Sequence, residues 1–354
     1  MNKKILEICL SPDLGGLELY MMRASQTLNA LSVIGVKTKL EQYYENTDFP
    51  YEKIGRYDFL KLAKIIDKNG IDIVHLHWTK DIPMVILAKL FSKRKPRVVQ
   101  TRHMTMTRFK DDFYHRFLYK NMDLMLAVTH QVKIQIEKFV PHEICPKVEV
   151  LYIGAQQPEI ISDEEKKNRR KQLGLGESFT VGIVGRIELP KGQWVLIDAI
   201  ERVIRQGIDA KALIVGHAMN EEYLEVLQKN VIMRGLKERI IFTGFTREAQ
   251  AMMQLCDVMV LATENETFGL VLIEAMMCGV CVVASDSGGP LEIIDDGVNG
   301  LLFKTFDADD LAVKLAKLQK EEALRKTFAT AGKEKALEQF ESVKQFEALQ
   351  QILI

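Results

Sequence analysis

Two carboxylates flank a glycine turn in the stretch from Glu266 to Glu274, which reads Glu-Thr-Phe-Gly-Leu-Val-Leu-Ile-Glu. A glutamate on the apolar helix predicted after the turn is unfavourable without a partner, so we expect Glu274 to face a polar ligand. A helix beginning at Gly269 would direct the free N–H groups of Leu270 and Val271 toward an anion. Carboxylates suit hydroxyl groups and helix N–H groups suit phosphate, so the stretch favours a ligand with both, such as a nucleotide sugar. An amphipathic helix with one solvated glutamate is the alternative.

Two cations follow the first apolar strand in the second half of the chain. Arg186 comes directly after Val184 and Gly185, and Lys191 lies on a short loop that contains Pro190. Together they can neutralise a pyrophosphate leaving group through charge-assisted hydrogen bonds. The spacing makes them candidates for a diphosphate site, and solvated surface charges are the alternative.

Histidines lie on or after two predicted strands in the first half of the chain. His75 and His77 alternate with apolar residues, which places both on one face of a strand. A histidine pair at this spacing can hold a metal, but no cysteine or carboxylate cluster in the sequence completes such a site, so we expect none. His103 follows the next strand, where a polar residue that caps the strand is the alternative to a catalytic one.

A glycine pair, Gly15 and Gly16, lies between the first predicted strand and the first predicted helix. Glycine at such a turn allows the backbone to approach a ligand closely. A dinucleotide-binding loop needs Gly-x-Gly-x-x-Gly at this place. Neither this pair nor the segment from Gly182 to Gly185 has that spacing, which disfavours a nicotinamide- or flavin-dependent oxidoreductase.

Apolar strands alternate with amphipathic helices through both halves of the chain, a pattern that predicts doubly wound α/β domains. A chain of 354 residues is too long for one ordinary core, so we expect two domains. Strands are predicted near 4–10, 33–40, 71–77, 97–101, 124–128, 148–152, 180–185, 211–215, 240–242, 257–261, 280–284 and 301–303. Helices are predicted near 17–30, 57–69, 81–92, 110–121, 130–139, 162–171, 192–206, 220–234, 246–254, 269–278, 290–295, 308–319 and 334–352.

These motifs resemble the retaining glycosyltransferases of family 4, which have the GT-B fold. The donor-site pattern of that family is two glutamates separated by seven residues, then Ala-Met-x-x-Gly, a valine-rich strand and a Gly-Gly-x-x-Glu loop. The matching residues of this chain are Glu266, Glu274, Ala275, Met276, Gly279, Val282, Val283, Gly288, Gly289 and Glu292. The chain departs from the pattern at Ala262 and Cys281, where the family usually has proline.

The resemblance implies two Rossmann-like doubly wound domains that face each other across a cleft. It implies an acceptor-binding domain over 1–160, a donor-binding domain over 161–333 and a C-terminal helix over 334–354 that packs back on the first domain. The catalytic residues implied are His103, Glu266, Arg186 and Lys191. The donor-binding residues implied are Gly15, Gly16, Gly185, Gly244, Phe245, Thr267, Phe268, Gly269, Leu270, Val271 and Glu274. The acceptor-side residues implied are His75, His77 and Arg102.

The function implied is transfer of a hexose, with retention, from a nucleotide-diphosphate sugar to a glycan or lipid-linked acceptor. The nucleotide sugar is then a co-substrate, and neither a metal nor another cofactor is expected. Synthesis of a bacterial cell-surface polysaccharide or lipopolysaccharide is the expected setting. A nucleotide-sugar epimerase or a phosphorylase of the same fold, and a non-catalytic protein that binds sugar nucleotides, remain alternatives.

Charge is distributed unevenly although the whole chain is neutral. Residues 1–160 contain 24 Lys and Arg against 18 Asp and Glu, a net charge of +6. Basic residues interleave with aromatic ones over 89–97 and 102–120, a composition that suits an anionic membrane surface or acceptor as well as a solvated helix. Nucleic acid is not expected as a partner, because no binding motif accompanies the charge.

Cysteine content and hydropathy favour a cytoplasmic protein, with the inner membrane face as a further expectation. The five cysteines are scattered, which suggests reduced thiols, and no apolar run approaches the ~18 to 20 residues of a membrane helix. Cys278 and Cys281 have Cys-x-x-Cys spacing but are predicted to span a helix-to-strand turn. Small buried residues are therefore expected there, without a redox role.

Overall fold

The computed structural model describes residues 3–45 and 47–354 and divides into two compact units. The first unit takes in the chain as far as Ile153 together with Val343–Ile354, and the second unit is Gly154–Ser342. The units change at residues 153 and 342, whereas the sequence predicted boundaries near 160 and 333.

The first unit is built on a seven-stranded parallel sheet. Its strands are β1 Ile5–Cys9, β2 Leu31–Gly35, β3 Tyr51–Ile54, β4 Ile73–Leu76, β5 Arg97–Arg102, β6 Leu124–Ala127 and β7 Lys147–Val150, in the order β3-β2-β1-β4-β5-β6-β7. Its first helices are α1 Gly16–Thr27, α2 Glu41–Tyr44, α3 Phe59–Asn69, α4 Ile82–Phe91, α5 Phe113–Lys120 and α6 His130–Phe139.

The second unit is built on a six-stranded parallel sheet. Its strands are β8 Phe179–Val184, β9 Ala210–Val215, β10 Ile240–Gly244, β11 Val258–Leu261, β12 Cys281–Ser285 and β13 Leu301–Phe303, in the order β10-β9-β8-β11-β12-β13. Its helices are α7 Asp163–Gln172, α8 Gln193–Arg205, α9 Glu221–Met233, α10 Ala249–Met253, α11 Leu270–Met277, α12 Pro290–Ile293, α13 Ala308–Lys320 and α14 Glu322–Gln339.

The last helix, α15 Ser342–Leu353, belongs to the first unit. Leu349 and Leu353 are buried in the same apolar cluster as Ile73 and Val99 of the sheet. The guanidinium of Arg97 donates to the carbonyl oxygen of Ile352 at 3.2 Å, which satisfies one of the free carbonyl groups at the end of the helix.

The strand order reverses once in each sheet, between β1 and β4 and between β8 and β11. In open parallel sheets, ligands bind outside the carboxyl ends of the strands at such a reversal. The predicted chemistry lies there, because Gly15 follows β1, His77 follows β4, Arg186 follows β8 and Glu266 follows β11.

The predicted doubly wound α/β fold is confirmed, and several elements differ from the prediction, among them the short helix α2, which was not predicted. The edge strand β3 was not predicted, because Tyr-Glu-Lys-Ile has two charged residues among its four. The helix predicted over 334–352 is two helices, α14 and α15. Ala155 interrupts it, since its N–H donates to Phe340 and its carbonyl oxygen accepts from Ser342, both at 2.9 Å.

Candidate active site

A buried glutamate that the sequence analysis did not select joins the histidines of the first unit. Glu7 on β1 is fully buried, and its two oxygens lie 3.0 Å from Nδ1 of His75 and 2.6 Å from Nε2 of His77. The second nitrogen of His75 lies 2.7 Å from the hydroxyl of Thr101. His75 is also fully buried with both nitrogens occupied, so in this structure it supports the cluster.

The cluster ends at His103. Nδ1 of His77 lies 3.2 Å from Nε2 of His103, and the ring of Tyr20 packs edge-on against both imidazoles. His77 is buried, whereas His103 is partly exposed. In the described parts of the chain, Nδ1 of His103 has no hydrogen-bond partner. This nitrogen is therefore the group through which the cluster can reach a ligand.

Protonation states follow from burial and from these contacts. Burial raises the pKa of Glu7, but His75 and His77 outweigh it and lower that pKa to about 2. Burial lowers the pKa of His77 to about 4 and the pKa of His103 well below its usual range. At neutral pH, Glu7 is therefore ionised while His77 and His103 are neutral.

These protonation states determine the donor and the acceptor in each hydrogen bond that connects Glu7, His77 and His103. An ionised carboxylate only accepts, so His77 donates to Glu7 through Nε2 and keeps a lone pair on Nδ1. His103 must donate to that lone pair through Nε2, which leaves the lone pair of its own Nδ1 for a ligand. His103 is consequently set to accept a hydrogen bond from a hydroxyl group.

The same three residues could in principle hold a metal ion. Donor atoms of Glu7, His75 and His77 lie within 4.8 Å of one another, so the structure supplies the carboxylate that the sequence argument found lacking. The donor atoms already face each other at 3.0 Å and 2.6 Å, as hydrogen-bonded atoms do, and all three side chains are buried. The geometry is that of a hydrogen-bonded cluster.

Lys191 and Glu266 form an ion pair in the second unit. Their Nζ and Oε2 atoms lie 3.0 Å apart, and the two side chains are 25% and 19% exposed. Lys191 lies on a 3-10 turn after β8, and the next residue, Gly192, adopts a φ of +70°. A Cβ atom at Gly192 would lie 2.3 Å from the carbonyl oxygen of Ala262, so this glycine allows the lysine loop to approach the end of β11.

Two further glycines hold the turn that carries Glu266. A Cβ atom at Gly288, whose φ is +72°, would lie 2.2 Å from the carbonyl oxygen of Glu266. A Cβ atom at Gly289 would lie 2.3 Å from that of Phe268, and the N–H of Gly289 donates to Glu266 at 2.9 Å. The loop after β12 therefore packs backbone to backbone against the Glu266 turn. The turn ends at Gly269, with φ of +103°, directly before α11 as predicted.

The remaining predicted donor-site residues lie at the ends of β8 and β10, between β11 and α11, and on α11. Arg186 is 54% exposed and pairs with Glu188 at 3.2 Å, while its carbonyl oxygen accepts from buried Gln193 at 2.9 Å. Gly185 follows β8 and Gly244 ends β10, on either side of β9 in the sheet, and both have positive φ. Phe245 is 68% exposed, and its ring packs edge-on against His217 at 6.0 Å. Thr267 to Val271 and the partly buried Glu274 complete the edge.

Comparison with known proteins identifies the family. Residues 164–335 match the model for "Glycosyl transferases group 1", and residues 7–132 match the model "Glycosyl transferase 4-like". The chain belongs to the group 1 glycosyltransferases. The protein is therefore an enzyme that transfers sugars, and its matched regions include Glu7, Lys191 and Glu266.

Curated relatives of this glycosyltransferase act in several bacterial systems. The N-acetyl-alpha-D-glucosaminyl L-malate synthase of Bacillus anthracis is 27% identical over 333 residues, 88% of this chain and 84% of the relative. The capsular polysaccharide biosynthesis glycosyltransferase CapM of Staphylococcus aureus is 23% identical over 294 residues, 80% of this chain and 76% of the relative. The lipopolysaccharide core biosynthesis mannosyltransferase LpcC of Rhizobium leguminosarum is 27% identical over 205 residues, 57% of this chain and 56% of the relative.

Solved structures show that the glycosyltransferase has the GT-B fold. HepE of Anabaena in complex with UDP has a TM-score of 0.89 and 24% identity, and the match covers 99% of each chain. A glycosyltransferase from Rickettsia africae has a TM-score of 0.88 and 19% identity over 99% of this chain and 98% of its own. The predicted GT-B fold is confirmed by these likenesses.

The five cysteines of the glycosyltransferase are free. Burial raises the pKa of Cys278 and of Cys281 to about 12, which makes both poor nucleophiles at neutral pH. In the residues that the structure describes, no helix is long and apolar enough to span a membrane.

Proposed function

We propose that the enzyme transfers a hexose, with retention of the anomeric configuration, from a nucleotide-diphosphate sugar to a glycan or lipid-linked acceptor. The observation that carries the proposal is the Lys191–Glu266 ion pair at the strand-order reversal of the second sheet, with Arg186 at the same edge. A cation for a leaving diphosphate thus lies beside a carboxylate for sugar hydroxyls.

Known proteins support a sugar nucleotide as donor. HepE, whose fold this chain shares, has been solved with UDP and with UDP-glucose. CapM and LpcC act in capsular polysaccharide and lipopolysaccharide core biosynthesis. We propose that this enzyme also acts in the synthesis of a bacterial cell-surface glycan, and that it does so in the cytoplasm.

In this proposal, the second unit binds the nucleotide-sugar donor. Glu274 accepts hydrogen bonds from the ribose hydroxyls, and the backbone near Gly244 and Phe245 contacts the base. Glu266 and the turn to Gly269 hold the sugar. The N-terminus of α11 supplies N–H groups and a positive helix dipole to the diphosphate.

Diphosphate departure drives the proposed transfer. The acceptor hydroxyl forms the new bond to the anomeric carbon on the face from which the diphosphate leaves, and its proton passes to a departing phosphate oxygen. Arg186 and Lys191 stabilise the negative charge that develops on the leaving group. Lys191 is paired with Glu266, so we expect it to exchange part of this contact for the phosphate when the donor binds. Because two cations neutralise the diphosphate, we propose that no metal is needed.

The first unit contributes His103, which we assign to a hydroxyl of the transferred sugar. Its Nδ1 lone pair suits that contact, and Glu7 and His77 hold it in place. Gly15 and Gly16 allow close backbone approach to the diphosphate because they carry no side chain, and the space beside Gly16 is open among the described residues. Arg102 lies on the acceptor side.

Contact with an anionic membrane is part of the proposal and rests on the surface of α5. Phe113 is 89% exposed there, and Phe109, Tyr114 and Phe117 are exposed beside it. The charge available is smaller than the sequence count suggests. Among the basic residues over 89–120, Lys89 pairs with an aspartate, as does Arg94, and Arg116 pairs with Asp111 and Glu143.

Donor binding and turnover test the function directly. A thermal-shift screen of nucleoside diphosphates and their sugars should find a ligand that raises the unfolding temperature, because binding to the native state alone stabilises it. With that donor and a membrane-derived acceptor extract, nucleoside diphosphate should be released, and EDTA should not slow the release. Interconversion of the sugar nucleotide without release would indicate an epimerase and contradict the proposal, as would release that depends on added divalent metal.

A further inference from the structure

A groove of about 440 Å³ lies in the first unit between α4 and α5. Its walls are apolar or aromatic and include Ile82, Met84, Leu87, Tyr114 and Leu118. The volume is in the range of small-molecule sites and holds roughly 15 groups the size of a water molecule. A hydrocarbon segment of about ten carbons and a polar head are therefore of suitable size.

Three cations, Arg56, Lys80 and Lys110, line the same groove, and no carboxylate lines it within the described chain. None of the three forms an ion pair with a residue that the structure describes. Arg56 and Lys80 both lie against the ring of Trp78, at 5.5 Å and 5.2 Å from its centroid. One aromatic ring thus holds two of the unpaired cations together.

Arg102 brings a fourth cation to the same end of the sheet. Its guanidinium is buried and donates to neutral oxygens only, the Thr79 hydroxyl at 3.0 Å and the carbonyls of Met104 and Thr105 at 2.8 Å. Burial lowers the pKa of Lys110 and the nearby charge of Arg102 lowers it further, while the Asp112 carboxylate offsets only part of this effect. Like charges are therefore close together here and form no ion pair with a described residue, and a bound anion would relieve their repulsion.

We propose that this groove binds the acceptor as an anionic amphiphile, with a phosphate against the cations and its hydrocarbon chain between α4 and α5. Inorganic phosphate would leave the apolar walls exposed to water, and an uncharged lipid would leave the cations uncompensated. The role as acceptor rests on the proposed function, whereas binding of the amphiphile does not. Thr79 bonds to Arg102, the residue before His103, so the groove begins next to the proposed catalytic histidine.

Tryptophan fluorescence can report this binding, because the chain has two tryptophans and only Trp78 contacts the groove cations. In a Trp194→Phe background, alkyl phosphates from butyl to decyl would be titrated below their micelle concentrations. We expect the dissociation constant to fall about four-fold for each added CH₂ group until the groove is full. Decyl maltoside should bind at least ten-fold more weakly than decyl phosphate.

Matched variants test the cations and the apolar walls of the groove separately. The double variant Arg56→Gln, Lys110→Met should weaken decyl phosphate at least ten-fold, whereas Lys120→Met, on an exposed part of α5, should not. Leu87→Asn should reduce the effect of chain length, and Leu60→Asn, on the exposed face of α3, should leave it unchanged. If the affinity for alkyl phosphates does not depend on chain length, the groove is an anion site without a hydrocarbon site. If decyl maltoside binds as tightly as decyl phosphate, binding is apolar adsorption only. Either result would overturn the proposal.

The titration with alkyl phosphates needs neither a sugar donor nor turnover. A negative result would therefore reject amphiphile binding without bearing on the proposed function. If decyl phosphate binds as expected but no donor releases nucleoside diphosphate, the groove remains an amphiphile site. Its role as the acceptor site would then be rejected. Release from a donor without amphiphile binding would retain the transferase and reject the groove.

Discussion

Nδ1 of His77 lies 3.2 Å from Nε2 of His103, and this contact connects the proposed catalytic histidine to a buried carboxylate. Because Glu7 is ionised and can only accept, the contact sets which nitrogen of each imidazole carries the proton. His103 then meets its ligand as a hydrogen-bond acceptor. The hydrogen bonds from His103 to His77 and from His77 to Glu7 each have a defined donor and acceptor, which makes the arrangement testable.

Glu7→Gln should reverse that direction. With its oxygen accepting from Nδ1 of His75, the glutamine amide would donate through its nitrogen to Nε2 of His77, so His77 would carry its proton on Nδ1 and donate to His103. His103 would then hold a proton on Nδ1 and could no longer accept from a hydroxyl. We expect kcat to fall at least ten-fold with a smaller change in KM, since about 1.4 kcal/mol corresponds to a factor of ten.

The tautomers themselves are observable by ¹⁵N NMR of the imidazole rings. Wild-type His103 should show a protonated Nε2 and a bare Nδ1, and the variant should show the reverse. A variant that loses activity while His103 keeps its wild-type tautomer would refute the account of Glu7 as a positioning residue.

Gly288 and Gly279 provide a matched pair for testing the backbone contact at Glu266. Their φ angles are +72° and +73°, so an alanine costs the same backbone strain at both. Only at Gly288 would the new Cβ atom also strike a carbonyl oxygen, whereas nothing lies within 4 Å at Gly279. Gly288→Ala should therefore weaken donor binding at least ten-fold, measured by calorimetry, while Gly279→Ala leaves it within two-fold. Equal affinities would show that this contact does not shape the donor site.

Stability should fall in acid because of the buried cluster. Between about pH 6.5 and pH 4, an unfolded chain binds a proton at His77 that the folded chain does not, since the folded pKa is about 4. Glu7 adds the same effect between about pH 4.5 and pH 2. Each group lowers the free energy of unfolding by up to about 1.4 kcal/mol per pH unit in its window.

Urea unfolding at pH 7.5, 6, 5 and 4.5 measures that slope. His77→Gln should flatten it below pH 6.5, and His142→Gln, at an exposed position, should leave it as in the wild type. A slope that is the same in wild type and His77→Gln would show that His77 is not held neutral by the fold.

Periodicity and turn residues were sufficient to predict most of the fold, and the family pattern gave the donor-site candidates. Gly269 at the start of α11 is an example, because glycine before an apolar helix is a local signal. Glu7 could not be predicted in the same way, since its partners lie about 70 positions away in sequence and meet it only through the β1–β4 pairing. A charged residue inside the apolar strand Ile5–Cys9 was the available signal.

Long-range contacts also explain the other differences. The break between α14 and α15 depends on Ala155, which lies far from residue 340 in sequence. The cations of the groove come from three separated segments. Only packing shows that, among the described residues, Arg56 and Lys110 form no ion pair while Arg116 forms two. The sequence reveals charge, but the fold decides whether that charge is already neutralised.

Central to the account is the assignment of Lys191 and Glu266 to the donor, and transfer kinetics with saturating acceptor test it most directly. Lys191→Ala and Glu266→Gln each remove a charge-assisted contact worth ~1.5–3 kcal/mol, so kcat/KM for the donor should fall at least ten-fold. Glu264→Gln, an exposed carboxylate on the same loop, should remain within two-fold of wild type. Unchanged kcat/KM in both Lys191→Ala and Glu266→Gln would contradict the assignment.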